Sequence, residues 1–561
     1  MSKKIKYSSN QLAKYIADAP GVVKNYIQAL EKQVGNLANI GLALSKEKNM
    51  SKLLEMILIE AKRIANSDGG TLYMMTDDNR LRFEIMMTDS LDFHMGGTSG
   101  QDIPFYPVKL FDENNEPNNS MVAAYVGLSG ETVNIQDAYK AKGFDFSGTK
   151  MFDDKTGYHS KSFLTVPLKN HEDEIIGVLQ LLNAQTNKTK KIIEFSSEIQ
   201  GKVEALASQA AVAITNKNLI KDLENLFESF IKLIASAIDA KSPYTGGHCE
   251  RVPEITMLLA EAVHKTKTGP FADFNLSDQE MYELKIAAWL HDCGKVATPE
   301  FVVDKSTKLE TIYDRIHEVE TRFSVLTRDQ EIKKLKKELF IERDNTLSAN
   351  EKNQKFKTVK NEYQKSLRQL KKDLSFVKES NIGGEFMSSD KKERINEISS
   401  YKWKPNGKMQ NFLSEDEVYN LTIPRGTLTP EERQVINDHI VVTINMLDEL
   451  PYPKHLKNIP EFAGGHHEKL DGTGYPKGLT KHEMSVQARI MAIADIFEAL
   501  TARDRPYKKG KTLSQAMRIL GFMKDDAHID VDLFDIFVKK KIYMKYAKGF
   551  LEPEQIDEVS V

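Results

Sequence analysis

Residues 287–295 read AAWLHDCGK and residues 463–478 read AGGHHEKLDGTGYPKG, and the C-terminal half of the chain is understood from these two stretches. The first is an apolar helical run that ends on an adjacent imidazole and carboxylate, His291 and Asp292, with the cation Lys295 three residues on. The second sets the pair His466-His467 before a glycine-rich turn. Further out, His248 in YTGGHCERV, His439 in EERQVINDHI and Asp495 in ARIMAIADIFEAL lie beside helix-compatible apolar residues. Together these are five imidazoles and two carboxylates, a nitrogen and oxygen set suited to iron, manganese or zinc.

Seven donors exceed what one ion takes, because a catalytic zinc uses three protein ligands and a water. Two metals are therefore expected. A carboxylate bridges two ions more readily than an imidazole, which makes Asp292 or Asp495 the shared ligand. Cations about 3.5–4 Å apart can activate water and clamp the attacking and leaving oxygens of a phosphoryl displacement. The two cysteines, Cys249 and Cys293, are too few for a thiolate zinc site or a disulfide framework and fit a reducing compartment. Each follows a ligand directly, so on a helix it is turned about 100° away and reads as a small packing residue.

The whole chain has 561 residues and a mass of 63.6 kDa, more than one core usually organises, so two or more domains are expected. With 78 Lys and Arg against 81 Asp and Glu the net charge is −3, which excludes a global basic field for a nucleic-acid polymer or acidic lipid. No apolar run approaches the roughly 18 residues of a membrane span, and MSKKIKYSSN leads into no secretory core. A cytoplasmic protein is expected.

Toward the N-terminus the texture changes. A polar segment, residues 1–25, precedes helical patterns over Tyr26 to Lys46 and Leu53 to Ala65. From Gly70 to Asn183 short strands alternate with turns: GTLYMM, RFEIMM, GETVNI, KSFLTVPL and IIGVLQLL. Helices flanking a sheet predict an α+β domain over residues 26–198. Beyond it Val203, Leu206, Ala210, Ala213, Ile220, Phe227, Ile231, Ile234 and Ile238 recur at spacings of three and four, with Lys217 and Glu224 interrupting. This predicts a parallel coiled-coil linker over residues 199–240, hence a homodimer. Between about 309 and 413 the stripes Ile332, Leu335, Leu339 and Val359, Tyr363, Leu367, Leu370, Leu374 predict a helical hairpin inserted in the C-terminal domain, residues 241–561. Charge runs there read as solvated faces, with a protein partner as the alternative.

The order IANSDGGTLYMM, KSFLTVPLKN, EIIGVLQLLNAQ resembles a GAF domain. That resemblance implies a sensor domain whose ligand the residues do not name. The signature of its cyclic-nucleotide binders is broken, since Asn183 is followed by Ala184 and only Phe195 and Glu198 echo the rest. HDCGK, HHEKLDGTGYP and ADIFEALTARDRPYK resemble the HD-GYP subgroup of HD phosphohydrolases over about residues 235 to 545. The resemblance implies an all-α domain that hydrolyses cyclic di-GMP to pGpG or GMP with two divalent ions, iron or manganese. By position it implies His248, His291, Asp292, His439, His466, His467 and Asp495 as metal ligands and Lys295 on the substrate phosphate. Gly474, Tyr475 and Pro476 form the naming loop, and Arg505 and Lys508 match phosphate-touching positions. Three-metal members carry a glutamate where Tyr244 stands, which again implies two metals. His317 is an alternative to His439, which is favoured because TLTPEERQVINDH supplies an N-cap and a helix before it. Other readings are a cyclic-dinucleotide receptor or adaptor, and a phosphodiesterase for cyclic GMP-AMP.

Overall fold

The structure is a computed structural model that describes residues 20–241, 247–503 and 510–559. Tyr244, Arg505 and Lys508 lie outside the described residues. The chain forms two compact units, Met1–Asn225 and Leu226–Val561.

The first unit is built on an antiparallel sheet in the order β3-β2-β1-β7-β6-β5, with β4 on β2 and β8 on β7. Its long central strands are β1 (Ser67–Thr76), β2 (Arg80–Thr88), β6 (Phe163–Lys169) and β7 (Ile175–Gln185), and β5 (Val133–Ile135) pairs with β6 at one end. Successive side chains of a strand face opposite ways, and both faces are covered. Leu72 and Leu179 join a core with helix Met50–Ala65, while Tyr73 and Val178 join a second core with helix Val122–Ser129. Two-sided burial is why these strands read as continuous apolar runs rather than alternating ones. Helix Gly21–Lys46 and the five quoted strands appear where expected. Short β3 (Phe93–Gly96), β4 (Val108–Lys109) and β8 (Ile192–Ile193) carry too few residues for a pattern.

A continuous helix, Ser197–Lys241, follows the sheet. The seam expected on it is largely occupied by its own chain. Val203, Leu206 and Ala210 are buried in the sheet-and-helix core of the first unit, and Ile231 and Ile238 are buried in the main core of the second. Ala213 and Phe227 pack partly buried against the same two cores, while Ile220 and Ile234 of that stripe are exposed.

The second unit gathers helices His248–His264, Asp278–Leu290, Ile459–Gly464, Val486–Thr501, Leu513–Asp525, Val531–Lys539 and Ile542–Phe550 around one apolar core. Helices Ile316–Arg343 and Ala349–Ile382 pack on each other and form the long hairpin. Its base is a small domain rather than a bare hairpin: Phe323, Val377, Ile395, Ile398 and Phe412 share a separate core. That base adds helix Ser389–Ser399 and a two-stranded ribbon, Lys402–Trp403 with Gln410–Asn411, so the unit is not purely helical as expected. Ile332, Leu335 and Leu339 remain exposed on the hairpin. Among the described residues no helix is long and apolar enough to cross a membrane.

Candidate metal centre

The seven donors converge in the second unit. Asp292, His439, His466 and His467 form one group that can hold an ion, and His248, His291 and Asp495 form another. Six of the seven sit at helix ends. His248 opens its helix, His291 closes Asp278–Leu290, and Asp292 leads into the tight turn Cys293–Ala297. His439 opens helix His439–Asp448 directly after helix Pro430–Asn437, and His466-His467 follow Ile459–Gly464. Asp495 alone lies inside a helix, Val486–Thr501.

Asp292 joins the groups. Its Oδ2 lies 3.1 Å from His248 Nε2 and 3.3 Å from His291 Nε2, while its Oδ1 lies 3.1 Å from His439 Nε2. Asp495 Oδ1 is 3.4 Å from His248 Nε2 and 3.8 Å from His291 Nε2. One carboxylate, Asp292, therefore faces both groups with separate oxygens, whereas Asp495 faces only His248 and His291 at these distances. The donors fit cations: Asp292 Oδ1, His439 Nε2 and His466 Nε2 are buried with no hydrogen-bond partner, an arrangement costly for polar atoms unless another group binds them.

The rings are held by their other nitrogens. Nδ1 of His291 donates to the Ala288 carbonyl at 2.7 Å, His439 to Ile436 at 2.5 Å and His466 to Ala463 at 2.5 Å. A carbonyl only accepts, so the proton sits on Nδ1 and the Nε2 lone pair is aimed into the cage. His248 uses Glu498 instead, its Nδ1 donating to Oε2 at 2.5 Å, while Arg251 Nε donates to the other oxygen at 2.7 Å. Sequence reading missed Glu498, although it stands three residues after Asp495 and hence on the same helical face.

Lys295 Nζ donates to Asp292 Oδ2 at 2.5 Å. Burial opposes its charge, but Asp292 and Asp495 hold its pKa above the ordinary value. Burial likewise opposes ionisation of Asp292, and Lys295 and His291 hold that carboxyl well below the usual range. Burial pushes His467 down to about 4 and His466 well below the ordinary imidazole value, so both are neutral, ligand-ready rings near neutral pH. It pushes the Cys293 thiol up to about 11 and Cys249 well above its usual value, which keeps both protonated.

The backbone around the cage is tight. A Cβ on Gly294 would lie 2.0 Å from the His439 carbonyl oxygen and 2.5 Å from Thr443 N, so only glycine lets the turn with Asp292 and Lys295 meet the His439 helix. The same turn is tied by Gly294 N donating to Thr443 Oγ1, and by Lys241 Nζ donating to the carbonyls of Val296 and Thr298. In the naming loop, a Cβ on Gly474 would lie 2.3 Å from Lys469 N. Buried Glu468 accepts from Lys477 N and Leu479 N, and the Tyr475 ring stacks on His467 with centroids 4.9 Å apart. The loop thus supports the histidine pair and sets a phenol against it; burial pushes that phenol up to about 12. His317 is elsewhere: it is exposed, with Nδ1 3.2 Å from Glu320, and belongs to neither donor group.

The GAF domain model matches residues 49–214 and the HD domain model residues 415–533. The chain therefore contains a GAF domain and an HD domain. Among curated proteins, the 3'3'-cGAMP-specific phosphodiesterase 3 of Vibrio cholerae is 38% identical over 107 residues, 19% of this chain and 22% of that protein. The cyclic di-GMP phosphodiesterase of Thermotoga maritima is 41% identical over 93 residues, 17% of this chain and 25% of that protein. The matched segment thus spans about a quarter or less of these relatives. Among solved structures, the GAF domain from Acinetobacter phosphoenolpyruvate-protein phosphotransferase is 17% identical with a TM-score of 0.25, covering 34% of this chain and 98% of that one.

Proposed function

We propose that the second unit is a two-metal phosphodiesterase that hydrolyses cyclic di-GMP to pGpG, with the GAF domain as its sensor. The observation that carries this reading is Asp292, one buried carboxylate whose two oxygens face two separate donor groups. The reading assigns His248, His291 and Asp495 to one divalent ion, His439, His466 and His467 to the other, and Asp292 to both. Iron or manganese suits this nitrogen and oxygen set. When bound, such ions supply Lewis acidity toward water and the phosphoryl oxygens.

The chain's own residues do the rest. Lys295 presents an ammonium beside the bridging carboxylate, where it opposes negative charge developing on the phosphoryl oxygens. Its salt bridge to Asp292 fixes the position of that charge. Tyr475, stacked on His467 and half-buried, offers an aromatic face to a nucleotide base. The backbone carbonyls behind His291, His439 and His466 keep those rings in one tautomer throughout.

Product analysis tests the proposal: purified, anaerobically metal-loaded protein is incubated with cyclic di-GMP, with iron and manganese compared. Accumulation of pGpG supports it. Tight nucleotide binding without turnover refutes it in favour of a receptor. A second reading, with 3'3'-cGAMP as substrate, is favoured by the similarity to the Vibrio cholerae enzyme, and faster turnover of that nucleotide would establish it.

A further inference from the structure

Helices Ile316–Arg343 and Ala349–Ile382 pack on each other as the long hairpin, but part of their apolar surface is not used there. Ile332 is 48% exposed and Phe340 75%. Both open onto a groove of about 730 Å³ that follows the first helix from Asp329 to Ile341 and is closed on its other side by Lys355, Thr358 and Val359 of the second. Ile341 and Val359 form its apolar floor, at 7% and 8% exposure. Lys333, Lys336 and Lys337 stand along the same groove, and Asp329 is the only acid among the described residues that line it. Lys337 is held by Glu362 at 2.7 Å, whereas Lys333, Lys336 and Lys355 make no ion pair among the described residues. The surroundings share this sign: residues 328–372 hold 14 Lys and Arg against 7 Asp and Glu, in a chain whose net charge is −3.

We infer that this groove docks an acidic amphipathic helix of a partner protein, with its apolar side chains on Ile341, Val359 and Phe340 and its carboxylates on the lysines. The length suits a helix. From Asp329 to Ile341 the first helix rises about 18 Å, which matches about three turns of a partner, and such a partner presents apolar anchors at spacings of three and four. Exposed ion pairs are each worth little, so the apolar seat supplies the affinity and the lysines choose the sign of the partner. The same two features set the other occupants aside. The hairpin of a second copy brings the same excess of Lys and is repelled. A nucleic acid can pair its phosphates with the lysines, but its backbone leaves Ile332, Ile341 and Val359 facing polar atoms. An anionic bilayer meets protruding faces, and the floor of this groove is recessed between two helices. The charge runs of the hairpin thus frame an apolar recess, and the inference rests on no part of the proposed chemistry.

The test uses the full chain and a fluorescein-labelled helical peptide of about 14 residues, with leucines at spacings of three and four and glutamates on both flanks. Anisotropy titration at low salt should show saturable binding, weakened about 10-fold or more both by Ile332→Ser/Phe340→Ser and by Lys333→Glu/Lys336→Glu. The same peptide with lysines in place of the glutamates should bind the Lys333→Glu/Lys336→Glu protein more tightly than the wild type, which also shows that this variant is folded. No saturable binding of the acidic peptide, equal binding of the two peptides to the wild type, or wild-type affinity in the Ile332→Ser/Phe340→Ser protein overturns the inference. So does tighter binding of phosphatidylglycerol vesicles or of a single-stranded oligonucleotide than of the acidic peptide.

Discussion

Replacing Glu498 by Gln probes whether the cage depends on its outer carboxylate. Glu498 is fully buried and accepts two hydrogen bonds, from His248 Nδ1 at 2.5 Å and from Arg251 Nε at 2.7 Å. A glutamine of the same shape offers one acceptor oxygen and one NH2, so either His248 or Arg251 must face a donor. If His248 loses its acceptor, nothing holds the proton on Nδ1 and the Nε2 lone pair is no longer fixed toward Asp292 and Asp495. Loss of such an outer partner typically weakens metal affinity about 10–100-fold, which is about 1.4–2.8 kcal/mol. Competition against a calibrated chelator measures this directly. Only one of two sites should weaken, because Glu498 touches His248 and none of His439, His466 or His467. Wild-type affinity at both sites, or equal weakening at both, refutes the reasoning.

Lys295→Met should lower turnover about 100–1,000-fold with metal content unchanged, as measured by steady-state kinetics beside metal analysis. Gly294→Ala, which sets a methyl 2.0 Å from the His439 carbonyl oxygen, should cost about 1–3 kcal/mol of stability and release metal, read from denaturant midpoints and metal analysis. Lys308 is pushed down to about 8 from 10.5, first by burial and then by Lys391 and Lys392. At Lys308 the folded state therefore binds fewer protons than the unfolded chain between about pH 8 and 10.5, so this residue's contribution to stability should rise with pH across that window. In urea titrations Lys308→Met should make the change in stability from about pH 8 to 10.5 less positive than in the wild type.

Legibility from sequence followed locality. The strands of the first unit were visible because burial on both faces leaves unbroken apolar runs such as IIGVLQLL. The seven side chains that converge were visible as candidates because each sits beside helix-compatible apolar residues and few other residue types can hold a cation. The direction a helix face points was not visible. Val203 and Ile231 recur at the same spacings as Leu219 and Phe230, and only tertiary packing decides which stripe is inside. Glu498, Thr443 and Lys241 were missed for a related reason: their roles are contacts to residues far along the chain, with no local signature.

The form of the motifs follows from how an imidazole is aimed. The last carbonyls of a helix have no partner within it, and His291, His439 and His466 each donate Nδ1–H to one such carbonyl three residues back. The helices before His291 and His466 are buried, so their packing fixes the carbonyl and the carbonyl fixes the ring; helix Pro430–Asn437, before His439, has no buried residue and supplies only the carbonyl. That is why AAWLHD is readable as chemistry. His248 opens its helix, has no such carbonyl among its described hydrogen bonds, and takes Glu498 from 250 residues away in its place. The dependence predicts unequal tolerance: substitutions in the helices before His291 and His466 that keep the backbone in place spare the rings. At His248, by contrast, orientation hangs on a single side chain.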